Sequence, residues 1–150
     1  MQEIRIYVWT DASPFREDRC LVRYELQVIR PNSPTAFKTD GFTTTATQIG
    51  ATLEGLVSAL RRVKDGNEIP ITIISKGMVT GIISSGQYLE WRERGWKTKK
   101  GEPVAYLNLW QEISTLIFAK TAHCSARTPI PEDEETINRL SEQKRKGKTA

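Results

Sequence analysis

The apolar period changes along this chain, and that change limits the fold more than any other feature of the sequence. Ile4, Ile6 and Val8 alternate with polar neighbours up to the turn Asp11-Ala12-Ser13-Pro14, the period-two pattern of a strand with one buried face. Residues 20–30 alternate again and stop at Pro31-Asn32-Ser33-Pro34, and residues 35–45, rich in Thr and Phe, suit a third strand. Three strands joined by short turns predict an antiparallel meander. From Ile49 the period becomes three and four. Ile49, Leu53, Leu56, Val57, Leu60 and Val63 form one stripe of a helix over residues 47–64, capped by Thr45 or Thr47.

Beyond that helix, residues 69–74 read as a short apolar strand with Pro70 at its start. A strand reached through a helix crossover is expected to pair in parallel with the first. Residues 77–94 read as helix interrupted at Gly81 and Gly86, and residues 95–104 as a Gly- and Lys-rich loop. An amphipathic helix is expected from Leu107 to Ile117, and a last strand over 119–127. Glu132 to Gln143 is acidic at its start and basic at its end, which suits the helix dipole. The order βββαβααβα predicts a mixed α/β protein.

Length and charge bound the function. A chain of 150 residues makes one ordinary domain, here residues 1–142, followed by a basic tail, 143–150, expected to fray. The formal charge of +4 resides in that tail (Lys144, Arg145, Lys146 and Lys148), and the remaining residues carry eighteen bases and eighteen acids. A nucleic-acid signal therefore has to come from charge distribution. One segment carries it: Trp91 to Lys100 holds five bases and one acid around two tryptophans. No stretch approaches the ~20 apolar residues of a membrane span, and the mixed charges of the N-terminus do not suit a signal peptide. Two cysteines, Cys20 and Cys124, make no disulfide framework and read as small core residues. His123 reads as a strand residue, and Glu132 to Glu135 as a solvated helix start. A cytoplasmic monomer without membrane contact is the expectation.

Three segments, in order, resemble the type 1 ribonuclease H family. Val8-Trp9-Thr10-Asp11-Ala12-Ser13 is similar to the T-D-G-S signature that opens those domains. Residues 91–110 (WRERGWKTKKGEPVAYLNLW) resemble the family's substrate-binding handle, and Leu109 to Ile113 continue the match. The resemblance implies a five-stranded mixed sheet, part antiparallel meander and part parallel, with helices on both faces. It also implies a site for RNA paired with DNA, where four carboxylates hold two divalent ions. Those ions need anionic oxygen ligands to activate a water and stabilise the leaving oxygen.

Carried over residue by residue, only the first carboxylate is kept, as Asp11. Aligning Ala51, Leu53, Leu56, Val57 and Leu60 with the family's apolar stripe puts Thr52 at the second position. Glu54 lies two residues on, roughly 200° around the helix. The third position falls on Ser75, beside Lys76, and the fourth on Asn138. Arg127 falls nearest the family's mobile histidine. Asp11 is thus the sole metal ligand expected, and a weak one. It reads equally well as a residue that turns the end of the first strand.

The leading functional expectation is a ribonuclease-H-like protein that binds an RNA–DNA hybrid or duplex and has lost hydrolysis, with no cofactor. Trp91 and Trp96 would supply flat surfaces, and Arg92, Arg94, Lys97, Lys99 and Lys100 phosphate contacts. Ser13, Thr47 and Gln48 fall near positions that the family uses on the sugar-phosphate backbone. Two alternatives stay open. One is an active Mg- or Mn-dependent nuclease with relocated carboxylates, Asp11 with Glu54 or Asp40. The other is a protein-interaction module on the same scaffold.

Overall fold

The structure, a computed structural model, describes residues 2–120 and 123–149, with side chains through Glu142. Its elements are β1 (Glu3–Thr10), β2 (Asp18–Ile29), β3 (Ala36–Ala46), α1 (Gln48–Leu60), β4 (Ile71–Ile74), α2 (Val79–Ser84), α3 (Gln87–Glu93), α4 (Leu107–Lys120), β5 (Cys124–Arg127) and α5 (Glu134–Thr149). The five strands form one sheet in the order β3-β2-β1-β4-β5. The expected meander is present, with β1 antiparallel to β2 and β2 antiparallel to β3. After the α1 crossover, β4 pairs in parallel with β1, and β5 in parallel with β4.

Alternation along β1 sends side chains into two cores. Ile4, Ile6 and Val8 pack with Leu53, Leu56 and Leu60 of α1 and with Trp110 and Ile113 of α4. Tyr7 points to the opposite face and packs with Ile74 and with Ile137 and Leu140 of α5. Each buried Leu or Ile side chain stabilises the fold by ~1.5–3 kcal/mol relative to exposure. Contact between α1 and the sheet is close at Gly55. A Cβ there would lie 2.7 Å from Val22 Cγ1 and 2.8 Å from Val8 Cγ1. The glycine weakens the helix by roughly 0.5–1 kcal/mol relative to alanine, and in exchange lets helix and sheet approach.

Several boundaries differ from those read in the sequence. The 77–94 segment breaks once, at Gly86 with φ of 79°, between α2 and α3. Gly81 sits inside α2 without interrupting it. The last strand begins at Cys124, because α4 runs on to Lys120. Lys120 is buried and pairs with Asp65 in the turn after α1, which fixes that end of the helix. His123 precedes β5, exposed, and its carbonyl accepts the Ile71 N–H at 3.0 Å. Residues 143–149 were expected to fray, but their backbone continues α5. Among the described residues, no helix is long and apolar enough to cross a membrane.

The acidic run before α5 is not a fully solvated helix start. Glu132, Glu134 and Glu135 are exposed, whereas Asp133 is fully buried. Its carboxylate accepts from Tyr7 Oη at 2.9 Å and from the Ile130 N–H at 2.8 Å, and pairs with Arg127. Burial on its own would raise the carboxyl pKa. The Arg127 guanidinium and the two neutral donors outweigh burial and hold it below the ordinary value. Glu25, also fully buried, pairs with Arg139 of α5 at 2.7 Å and accepts from Thr39 and Gln27. Two buried carboxylates thus clamp α5 to the sheet.

Candidate nucleic-acid interface

Of the three positions besides Asp11 that the resemblance assigns to carboxylates, two lie together near the ends of β1 and β4. Thr52 and Ser75 are both buried, and with Thr10, Gln48 and Lys76 they line one small cavity of about 50 Å³. Asn138 is exposed on α5 and lines a larger neighbouring cavity of about 530 Å³, together with Thr128, Glu134 and, again, Lys76. Lys76 thus joins the two spaces.

Asp11 lines neither cavity. It follows the last residue of β1, and its Oδ1 accepts the Leu21 N–H of β2 at 2.8 Å while its own N–H donates to the Leu21 carbonyl at 3.3 Å. That carboxylate is engaged in turning the chain between β1 and β2. The hydroxyls that line the small cavity are committed as well. Thr52 Oγ1 donates to the Gln48 carbonyl at 2.8 Å, Ser75 Oγ to the Lys76 carbonyl at 3.3 Å, and Thr10 Oγ1 to the Leu21 carbonyl at 2.8 Å.

This donor set does not fit a pair of divalent ions. Such ions take several anionic oxygens, whereas among the described residues the only charged side chain lining the small cavity is the Lys76 ammonium. Among the described residues, no three His, Cys, Asp or Glu side chains come together as a metal site. The relocated carboxylates are tied elsewhere. Glu54 accepts from Thr44 of β3 at 3.1 Å, and Asp40 pairs with Arg62 at 2.5 Å. Arg127, which the resemblance puts nearest a mobile histidine, is held by Asp133 and by Glu132.

The handle is a different kind of surface. After α3 the chain turns through Gly95 and Trp96, with φ of 69° and 64°, into a tight hairpin. Lys97 bridges Pro103, the Thr98 N–H donates to the Glu102 carbonyl at 2.8 Å, and the Val104 N–H to the Trp96 carbonyl at 3.1 Å. Its base rests on aromatic packing: Trp91 meets buried Trp110 edge-on at 5.8 Å, and Tyr88 stacks on Trp110 at 6.3 Å. Half-buried Trp91 therefore gives part of its ring to the core. Arg92, Arg94, Lys97, Lys99 and Lys100 are all exposed. Arg94, Lys99 and Lys100 share a groove of about 480 Å³ with the rim of Trp91, alongside Glu90 and Glu102.

Thr47, rather than Thr45, caps α1, accepting the Gly50 N–H at 3.4 Å. Gln48 begins that helix and its backbone N–H donates to the Ser13 carbonyl at 2.8 Å, so the β1–β2 loop and α1 are joined beside the cavity. Two participants escaped sequence reading. The Tyr106 hydroxyl meets the Thr47 hydroxyl at 2.5 Å, linking the end of the handle to the cap of α1. The Arg92 guanidinium lies 4.4 Å from the ring centre of Phe118, an exposed α4 aromatic. Neither pairing has a sequence spacing that announces it, since both span the handle.

No protein-family model matches the chain. A ribonuclease H of Polynucleobacter asymbioticus is 33% identical over 63 residues, covering 41% of this chain and 39% of that protein. A ribonuclease H of Acetivibrio thermocellus is 31% identical over 77 residues, covering 51% of each. The aligned stretches thus span about half or less of these curated relatives. Among solved structures, LC9-RNase H1, described as a type 1 RNase H with the type 2 active-site motif, superposes with a TM-score of 0.71 at 17% identity, covering 93% of this chain and 70% of that one. LC11-RNase H1, solved in complex with an RNA/DNA hybrid, superposes with a TM-score of 0.55 at 14% identity, covering 91% and 92%. The superpositions assign the chain the ribonuclease-H-like fold, a five-stranded mixed sheet with helices, and about half of its sequence or less is similar to curated ribonucleases H.

Proposed function

We propose that this protein binds nucleic acid, an RNA–DNA hybrid or a duplex, through the handle and the adjoining cleft, and that it has lost hydrolytic activity. One observation carries the reading. The cavity at the ends of β1 and β4 holds Thr52, Ser75 and a lysine, while the handle presents five exposed bases on an aromatic base. Phosphate contacts need cations on a surface and survive the loss of a metal site; hydrolysis assisted by metal ions does not. The fold's solved relative in complex with a hybrid supports the choice of substrate class. Discrimination of RNA would rest on 2′-hydroxyls in the wide minor groove. We take the protein to act as a cytoplasmic monomer.

The test has two arms. Incubated with a labelled hybrid and Mg²⁺ or Mn²⁺, the protein leaves it intact; cleavage that disappears on Asp11→Asn overturns the loss of activity. Binding, followed by anisotropy across a salt series, weakens steeply as salt rises. Replacing Lys97, Lys99 and Lys100 with Ala lowers affinity for all sequences alike and flattens the slope. A chain lacking residues 143–150 is the control. If that deletion abolishes binding while the handle variant binds normally, the handle faces protein and the interaction-module reading takes over.

A further inference from the structure

Lys76 lines the cavity that Thr52 and Ser75 share, and no described side chain pairs with it. It is exposed, it follows Ser75 at the end of β4, and it lines both the small cavity and the larger one. The hydroxyls of Thr10, Thr52 and Ser75 each give their proton to a backbone carbonyl. Among the described residues, the side-chain donors left to an incoming group at the small cavity are therefore the Lys76 ammonium, the Gln48 amide and the Trp9 indole N–H. Gly77 (φ of 97°) follows Lys76 and lines the larger cavity, where a Cβ would lie in ordinary contact, 3.6 Å from Gln48 Oε1. An ammonium with N–H donors beside it suits an anion, and the ammonium repels cations.

We propose that the cleft at Lys76 is a phosphodiester subsite, in which the lysine ammonium and the Gln48 amide contact a backbone phosphate directly and no divalent ion takes part. This rests on the nucleic-acid-binding reading above and adds where the strand passes and how it is held. The cavity of about 50 Å³ admits non-bridging oxygens of one phosphate and not a nucleotide, so the strand runs across its mouth. Glu134, at the start of α5, shares the larger cavity with Lys76, and its charge disfavours a second phosphate there. A lysine binds phosphate as a point charge without reading bases, so the contact positions the duplex and does not select sequence.

The experiment measures dissociation constants of the full chain for a blunt-ended RNA–DNA hybrid by anisotropy, over a salt series, in EDTA and in Mg²⁺ at matched ionic strength. Wild type binds as tightly in EDTA as in Mg²⁺, or more tightly. Lys76→Met, which keeps the side-chain length, weakens binding several-fold and lowers the magnitude of the salt slope by about one. Lys76→Arg retains the slope. Circular dichroism melting of each variant confirms folding, and an exposed lysine leaves it unchanged. If wild type binds but Lys76→Met binds with the same affinity and slope, or if Mg²⁺ is required, the subsite is refuted while the handle reading stands. If wild type does not bind the hybrid at all, the underlying reading fails with it.

Discussion

The Tyr7 hydroxyl donates to the Asp133 carboxylate at 2.9 Å across 126 residues of sequence, joining the central strand to the start of α5. Asp133 is held below the ordinary carboxylate pKa, because Arg127, the Ile130 N–H and Tyr7 outweigh its burial. A depressed carboxyl contributes stability that is present above its unfolded value, about 3.9, and is lost as pH falls towards the folded one. Wild type is therefore expected to lose stability in that acid window. Asp133→Asn carries no such titration and flattens this part of the profile. At neutral pH it costs about 1–3 kcal/mol by leaving buried partners unsatisfied. Urea denaturation across pH checks both.

Gly55 gives a second stability test. A methyl group at that position meets Val22 and Val8 at 2.7 and 2.8 Å, closer than real side chains come. The better helix propensity of alanine is then overridden by overpacking. Gly55→Ala is expected to destabilise by about 1–3 kcal/mol, read from the urea midpoint. A stabilised variant would mean that α1 can lift from the sheet without cost.

The sheet and the helices were legible because their apolar periods change where the chain turns: Ile4, Ile6 and Val8 against Ile49, Leu53 and Leu56. Boundaries failed where a tertiary contact decided them. Nothing in Ala119 and Lys120 indicates helix over strand until Lys120 finds Asp65 in space. Asp133 reads as one more surface acid in an acidic run, since its partners Tyr7 and Arg127 lie on strands that only the fold brings near. In the candidate site, Thr52 and Ser75, singled out in the sequence by the resemblance, are both buried and line one cavity. Side-chain commitments were invisible: the sequence does not say that Asp11 is bonded to Leu21, nor that Lys76 links two cavities.

Tyr106 and Thr47 offer a test of how the handle is anchored. Their hydroxyls meet at the cap of α1, so removing either loosens both the helix start and the end of the handle. Tyr106→Phe is expected to cost about 0.5–1.5 kcal/mol, the net worth of one hydrogen bond. Thr47→Val removes the cap as well and costs about 1–2 kcal/mol. The double variant falls short of the sum of the two, since both lose the same bond. Additive losses would show that the contact does not form in solution.

The last prediction rebuilds what the cavity lacks. Thr52→Glu with Ser75→Asp and Asn138→Asp puts three carboxylates around the ends of β1 and β4, where Thr52 and Ser75 already share a cavity. Burying new charge costs stability until a cation offsets it, so the triple variant is expected to melt below wild type and to rise with added Mn²⁺. A ligand that binds only the folded state stabilises it by mass action, which makes the melting temperature a direct readout of binding. Lys76 opposes the ions from the same cavity. Adding Lys76→Ser should therefore tighten Mn²⁺ binding further, measured by calorimetry, while wild type shows no such metal-linked stabilisation. Hydrolysis is not expected to return with the ions, because Asp11 remains turned onto Leu21 at 2.8 Å and ligand orientation sets turnover as much as ligand count. If the rebuilt site gives no metal-dependent shift with either Lys or Ser at position 76, the register that placed Thr52, Ser75 and Asn138 at the lost carboxylates is wrong.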